Sequence, residues 1–159
     1  MATINNKYGG SGCTITITLT SLVNNGARSS ASVDNTVDLY LDALVTLKIA
    51  SGSTGTGATG YVNIYAYGTT GCALYTDTAT GADENLTPAS PINMRPLGWA
   101  NVVANSTRYV VGPFSVAQAF GGALPSKWGV MVENKSASNL SSTAASHLVT
   151  YQGVYGQTI

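Results

Sequence analysis

Charge is scarce in this chain. Asp, Glu, Lys and Arg make up 9% of its 159 residues, against roughly a quarter in ordinary soluble domains. The 7 basic and 7 acidic residues cancel to a formal net charge of zero. Nucleic acid is therefore a poor partner, because neutralising phosphates needs a basic surplus or stripe. A surface without net repulsion also favours association. A homo-oligomer or a subunit of a larger assembly is expected rather than a lone monomer.

Groups able to do chemistry are equally few. There is one histidine, His147, placed just before the last predicted strand and read as a surface or hydrogen-bonded residue. The inventory permits a Ser-His-Asp triad, but no Gly-x-Ser-x-Gly elbow supports one, so no catalytic residue is assigned. Cys13 and Cys72 are too few for a disulfide framework and lack the Cys-x-x-Cys spacing of a zinc site. They read as two small buried hydrophobes, with a single bridge left open by spacing alone. Asp34, Asp38 and Asp42 recur every four residues. On a strand, Asp38 and Asp42 would stand about 13 Å apart, too far to chelate together, and they read as charges guarding a strand against unwanted pairing. Asp77, Asp83 and Glu84 lack the alternating oxygen ligands of a calcium loop. No metal and no cofactor is expected. The Asn-x-Ser/Thr triplets at Asn85, Asn105, Asn134 and Asn139 are what chance produces in a chain so rich in these residues.

Long apolar runs are also missing. None reaches membrane-spanning length, and the first residues hold no apolar segment of signal-peptide type. The expectation is synthesis in a host cytoplasm, with no membrane partner. The composition nevertheless resembles that of an extracellular β-protein, and a virion component released by lysis reconciles the two.

What the chain does have is period-two alternation. From Val37 to Ile49 every odd position is apolar and the even ones are mostly polar, the pattern of one long strand with a single buried face. Further strands are predicted at 14–19, 61–67, 97–104, 107–111, 128–133 and 147–155. Turns fall at Asn24-Asn25-Gly26 and Asn105-Ser106, with one helical turn over 114–120 stopped by Gly121-Gly122. Residues 28–35 read as a polar crossing and 51–60 as a flexible link. Residues 68–96 read as a long irregular segment, with one short strand near 74–76. About eight short antiparallel strands and almost no helix indicate a single all-β domain, a Greek-key or jelly-roll-like β-sandwich, over 13–159. Residues 1–12 form an extended arm anchored by Ile4 and Tyr8.

The sharpest surface candidate is the row Tyr61, Asn63, Tyr65 and Tyr67. Aromatic rings beside amides stack on sugars or anchor protein interfaces, although such a row can equally be an internal packing layer. Trp99, Phe114, Phe120 and Trp128 are assigned to the core or to a subunit interface.

Four segments carry a resemblance: Val-Asp-Asn-Thr-Val-Asp-Leu-Tyr-Leu-Asp-Ala-Leu-Val (33–45), Gly-Tyr-Val-Asn-Ile-Tyr-Ala-Tyr (60–67), the run from Gly112 to Asn134, and Tyr-Gln-Gly-Val-Tyr (151–155). With them the chain resembles small structural proteins of tailed-bacteriophage virions, above all capsid decoration (cement) proteins. The resemblance implies a jelly-roll-like body, often trimeric, seated on the outer capsid surface against the major capsid protein and bridging capsomers. It carries over no catalytic residue. The contact residues expected on this basis are Ile4 and Tyr8 of the arm, the segment from Leu86 to Arg95, and Tyr61, Asn63, Tyr65 and Tyr67. The alternative from another class is a glycan-binding or host-adhesion module of a tail or head fibre.

Overall fold

β-Branched and aromatic residues in alternation make strands wherever one face can be buried, and this chain offers many such stretches. The computed structural model describes residues 4–9, 12–71, 73–90 and 92–158. Its strands are β1 (Ile4–Tyr8), β2 (Cys13–Thr14), β3 (Ala27–Ser29), β4 (Val33–Asp34), β5 (Asp42–Ala50), β6 (Tyr61–Thr69), β7 (Glu84–Leu86), β8 (Arg95–Asn101), β9 (Arg108–Ser115), β10 (Lys127–Lys135) and β11 (Leu148–Thr158). One short helix, α1 (Val116–Ala119), follows β9, and a 3-10 turn at Ala144–Ser146 precedes β11.

The strands form two antiparallel sheets. The first runs β1-β11-β5-β9, with β2 on the flank of β11 that β1 also occupies. The second runs β7-β3-β10-β6-β8, and β4 continues along β10 the flank begun by β3. Between the sheets lies the main core. Ala43, Val45, Leu47 and Ile49 of β5 face Val62, Ile64 and Ala66 of β6 and Trp128, Val130 and Val132 of β10, all buried. The Trp128 ring meets Tyr151 of β11 edge-on, with centroids 5.2 Å apart, the geometry that aromatic quadrupoles favour. The β-sandwich expected from the alternation is thus the architecture observed.

A smaller second core lies on the outer face of the second sheet. Tyr67, Met131, Ala27, Leu86, Ala79 and Met94 pack together there. The irregular segment between β6 and β8 is the layer that covers them. Two aspartates pin this layer. Asp77 accepts hydrogen bonds from the Asn93 amide at 3.0 Å and from Asn93 Nδ2 at 2.8 Å. Asp83 accepts from Arg28 Nε at 2.6 Å, Thr18 N at 3.0 Å and Thr18 Oγ1 at 2.7 Å. The strand within the segment is Glu84–Leu86 and not 74–76.

Local chemistry overrides the period-two pattern in several places. The long strand starts at Asp42, not Val37. Asn35 closes a loop across residues 36–39, accepting from Tyr40 N at 2.8 Å and donating through Nδ2 to Tyr40 O at 3.0 Å. Leu39 consequently sits at φ 51°, a region that bulky residues enter only under such constraint. Val37, Leu39 and Leu41, expected in the buried row, are 83%, 69% and 57% exposed. Residues 28–35, expected as a crossing, supply β3 and β4, because β10 offers a free flank to pair with. Of the strand expected at 14–19 only Thr14 joins a regular ladder, together with Cys13 before it, although Ile15 and Leu19 are still buried. Cys13 is exposed with a free thiol rather than buried; Cys72 lies outside the described residues. Asp42 is no guard of a strand edge. Its carboxylate accepts from Ser115 Oγ at 2.7 Å and from the Ala117 amide at 2.8 Å, fixing the start of α1.

Candidate functional site

Asp34, Asp42, Asp77, Asp83 and the histidine are occupied in holding backbone. His147 Nε2 donates to Ser141 O at 2.9 Å, and burial holds its pKa below the usual histidine value. Among the described residues no group of three or more His, Cys, Asp or Glu is placed to hold a metal ion. Also among them, no helix is long and apolar enough to cross a membrane.

The tyrosine row divides along its length. Register places Tyr61 opposite Lys135, Asn63 opposite Glu133, Tyr65 opposite Met131 and Tyr67 opposite Gly129, all on the outer face of the second sheet. At the far end Tyr67 is fully buried, and its hydroxyl donates to Ser30 O at 2.5 Å. Burial pushes its pKa up to about 12, with Tyr75 and nearby carboxylates adding to the effect. Tyr67 therefore belongs to packing and presents nothing to a partner. Leu86 is likewise buried in the second core and leaves the expected contact surface for the same reason. Tyr65 is half-buried, its phenol held above the ordinary value by burial and then by the Glu133 carboxylate.

The near end of the row is open. Tyr61 is 39% and Trp99 65% exposed. Trp99 stands opposite Asn63 on edge strand β8, and Asn101 stands opposite Tyr61. Asn63 Nδ2 donates to Glu133 Oε2 at 3.0 Å, and Lys135 Nζ lies 3.1 Å from Glu133 Oε1. The result is a flat aromatic and polar platform on rigid strands. Trp99, read from sequence as core or subunit interface, is one of its exposed members. Its outward place on an edge strand follows from its pairing with Asn63, which composition cannot reveal.

A second surface lies at one end of the sandwich. Every residue of β1 is exposed, and β1 pairs along Val154 to Thr158 of β11, beyond the point where β5 stops. Ile4, Leu39, Leu41 and Tyr155 surround an open cavity of about 490 Å³ there. Of the expected arm contacts, Ile4 lines this cavity and Tyr8 stands exposed at the other end of β1. Arg95 lines neither surface. It lines a groove of about 470 Å³ with Pro96, Leu97, Pro113, Phe114 and Gln118, between the edges of β8 and β9. Sequence reasoning missed Leu39 and Leu41 as surface residues, since their spacing continues the buried row of β5. The one available signal was Asn35, an Asx-type residue ahead of the apolar run.

No family model, curated protein or solved structure matches this chain, so its function rests on the chemistry of these residues alone.

Proposed function

We propose that this chain is a non-enzymatic structural protein of a tailed-bacteriophage virion, of the capsid decoration kind. It binds the major capsid protein and further copies of itself, as a trimer, on the outer capsid surface. The observation that carries the reading is the apolar end of the sandwich. Leu39, Leu41 and Ile4 stand in water beside a two-stranded ribbon, β1 with the tip of β11, and Val37 is exposed on the loop that leads there. Exposed apolar clusters of this kind mark interaction surfaces, and an isolated two-strand ribbon is marginal in water until something packs on it.

Topology supports the same reading. We read the orders β2-β11-β5-β9 and β4-β10-β6-β8 as those of a jelly roll, eight strands in two Greek keys, an arrangement that recurs in viral capsid and lectin domains. That support is analogy of fold. The apolar end is the argument from residues. Mechanically, the sandwich is a rigid body, and many moderate contacts repeated over a lattice add avidity that no single one supplies.

The test is capsids assembled with and without the protein. Particles lacking it should form but lose resistance to heat, and the Leu39→Ser/Leu41→Ser double variant should fail to bind them while melting like the native chain. Capsids equally heat-stable in its absence would overturn the proposal.

A further inference from the structure

We propose that the open half of the outer face of the second sheet is a binding site for an uncharged pyranose within an oligosaccharide. Its residues are Trp99, Tyr61, Asn63, Glu133 and Lys135, and it shares none with the apolar end, so it stands independently of the capsid reading. A pyranose has an apolar C–H face edged by hydroxyls, and it needs an exposed ring beside planar hydrogen-bonding groups. The platform offers both. Trp99 and Tyr61 expose their rings on adjacent strands, on diagonal positions of one face, close enough to act on one ligand. Asn63 supplies the amide at the neighbouring position, and the Glu133 carboxylate, buried beneath it at 7% exposure, fixes that amide by their hydrogen bond before any ligand arrives. Such pre-ordering lowers the entropic cost of binding.

Charge selects the ligand class. The one cation of the platform, Lys135, is paired with Glu133 at 3.1 Å, so the site has no free positive group for a sialic acid, sulfate or phosphate. An anionic sugar would have to compete with a carboxylate already in place. Packing does not account for Trp99 either: its counterpart Trp128 is 1% exposed in the main core, whereas Trp99 is 65% exposed.

The test uses the full chain on an array of neutral hexose and N-acetylhexosamine oligosaccharides beside sialylated and sulfated ones. Neutral ligands should be retained, with affinity at least about tenfold weaker in Trp99→Ala and in Asn63→Ala and unchanged in Leu39→Ser. Because Trp128 is buried, a shift in indole emission on titration with a retained oligosaccharide should come from Trp99. It should vanish in Trp99→Phe, which keeps a stacking ring and so should keep most of the affinity. Retention of anionic glycans only, no retention at all, binding unmoved by Trp99→Ala, or an emission shift that persists in Trp99→Phe would each overturn the proposal.

Discussion

At the scale of single residues, the fold depends on places where a side chain must be missing. Gly129 of β10 lies directly across from Tyr67. A Cβ there would meet the Tyr67 ring at 2.4 Å. The glycine makes room for the ring to lie flat over the strand, where its hydroxyl reaches Ser30 O. Gly129→Ala should therefore destabilise the protein by about 1–3 kcal/mol, the usual cost of overfilling a packed interior, read as a lower midpoint in urea. In a Tyr67→Leu background the same substitution should cost distinctly less, because contacting residues couple; equal costs in both backgrounds would refute the contact. From sequence, the alternation of Val62, Ile64 and Ala66 correctly marked one buried face. It could not mark Tyr67, because what buries that ring is a segment with no periodicity of its own.

The element that most departs from sequence expectation is that segment. It reads as an irregular connection, yet it forms the cover of a second core, held by Asp77 and Asp83 together with the short pairing of β7 on β3. The signal was present in the form of two aspartates, but a carboxylate's partner is set by tertiary placement, and Arg28 is 55 residues away from Asp83. Burial alone would raise the Asp83 pKa. The hydrogen bonds from Arg28 and Thr18 more than offset this and leave it below the ordinary value of 3.8. A depressed carboxylate pKa gives stability that is present above the unfolded value and is lost as pH falls through the folded one. Thermal stability should thus decline below about pH 4. Asp83→Asn should lower stability near neutrality by about 2 kcal/mol, as expected for removing charge-assisted hydrogen bonds, and flatten that acid limb. An acid limb of unchanged steepness in Asp83→Asn would assign it to other carboxylates.

For the whole molecule, the class of fold was legible in the sequence and the working surface only in part. Low charge, short alternating stretches and frequent turns suffice for two packed sheets, because alternation reports burial directly. They do not say where alternation stops being strand, and Val37 to Leu41 stops there. Those residues changed from core to surface through the side-chain bonds of one asparagine. Tyr61 and Asn63 were readable as a surface pair, whereas Trp99 joined them only through cross-strand register. With a net charge of zero, association through the apolar end should be hydrophobic in character. Self-association, followed by sedimentation, should hold or strengthen from about 0.05 to about 0.5 M salt, where ion-pair contacts would be screened. A marked weakening over that range would point to a charged interface instead.

The position of β10 and β11 within the sheets also sets an order of events. Each is the bridge between strands made early and strands made in the middle of the chain: β11 joins β1 and β2 to β5, and β10 joins β3 to β6. On the ribosome, where the N-terminal part emerges first, neither sheet can close until the last third of the polypeptide is available, and pairing across such separations is slow. The half-made chain holds the apolar rows of β5 and β6 with no finished sheet to shield them. The chain therefore reaches its folded form only once β10 and β11 have been made, and a copy truncated before β10 leaves both sheets without the strand that joins their halves.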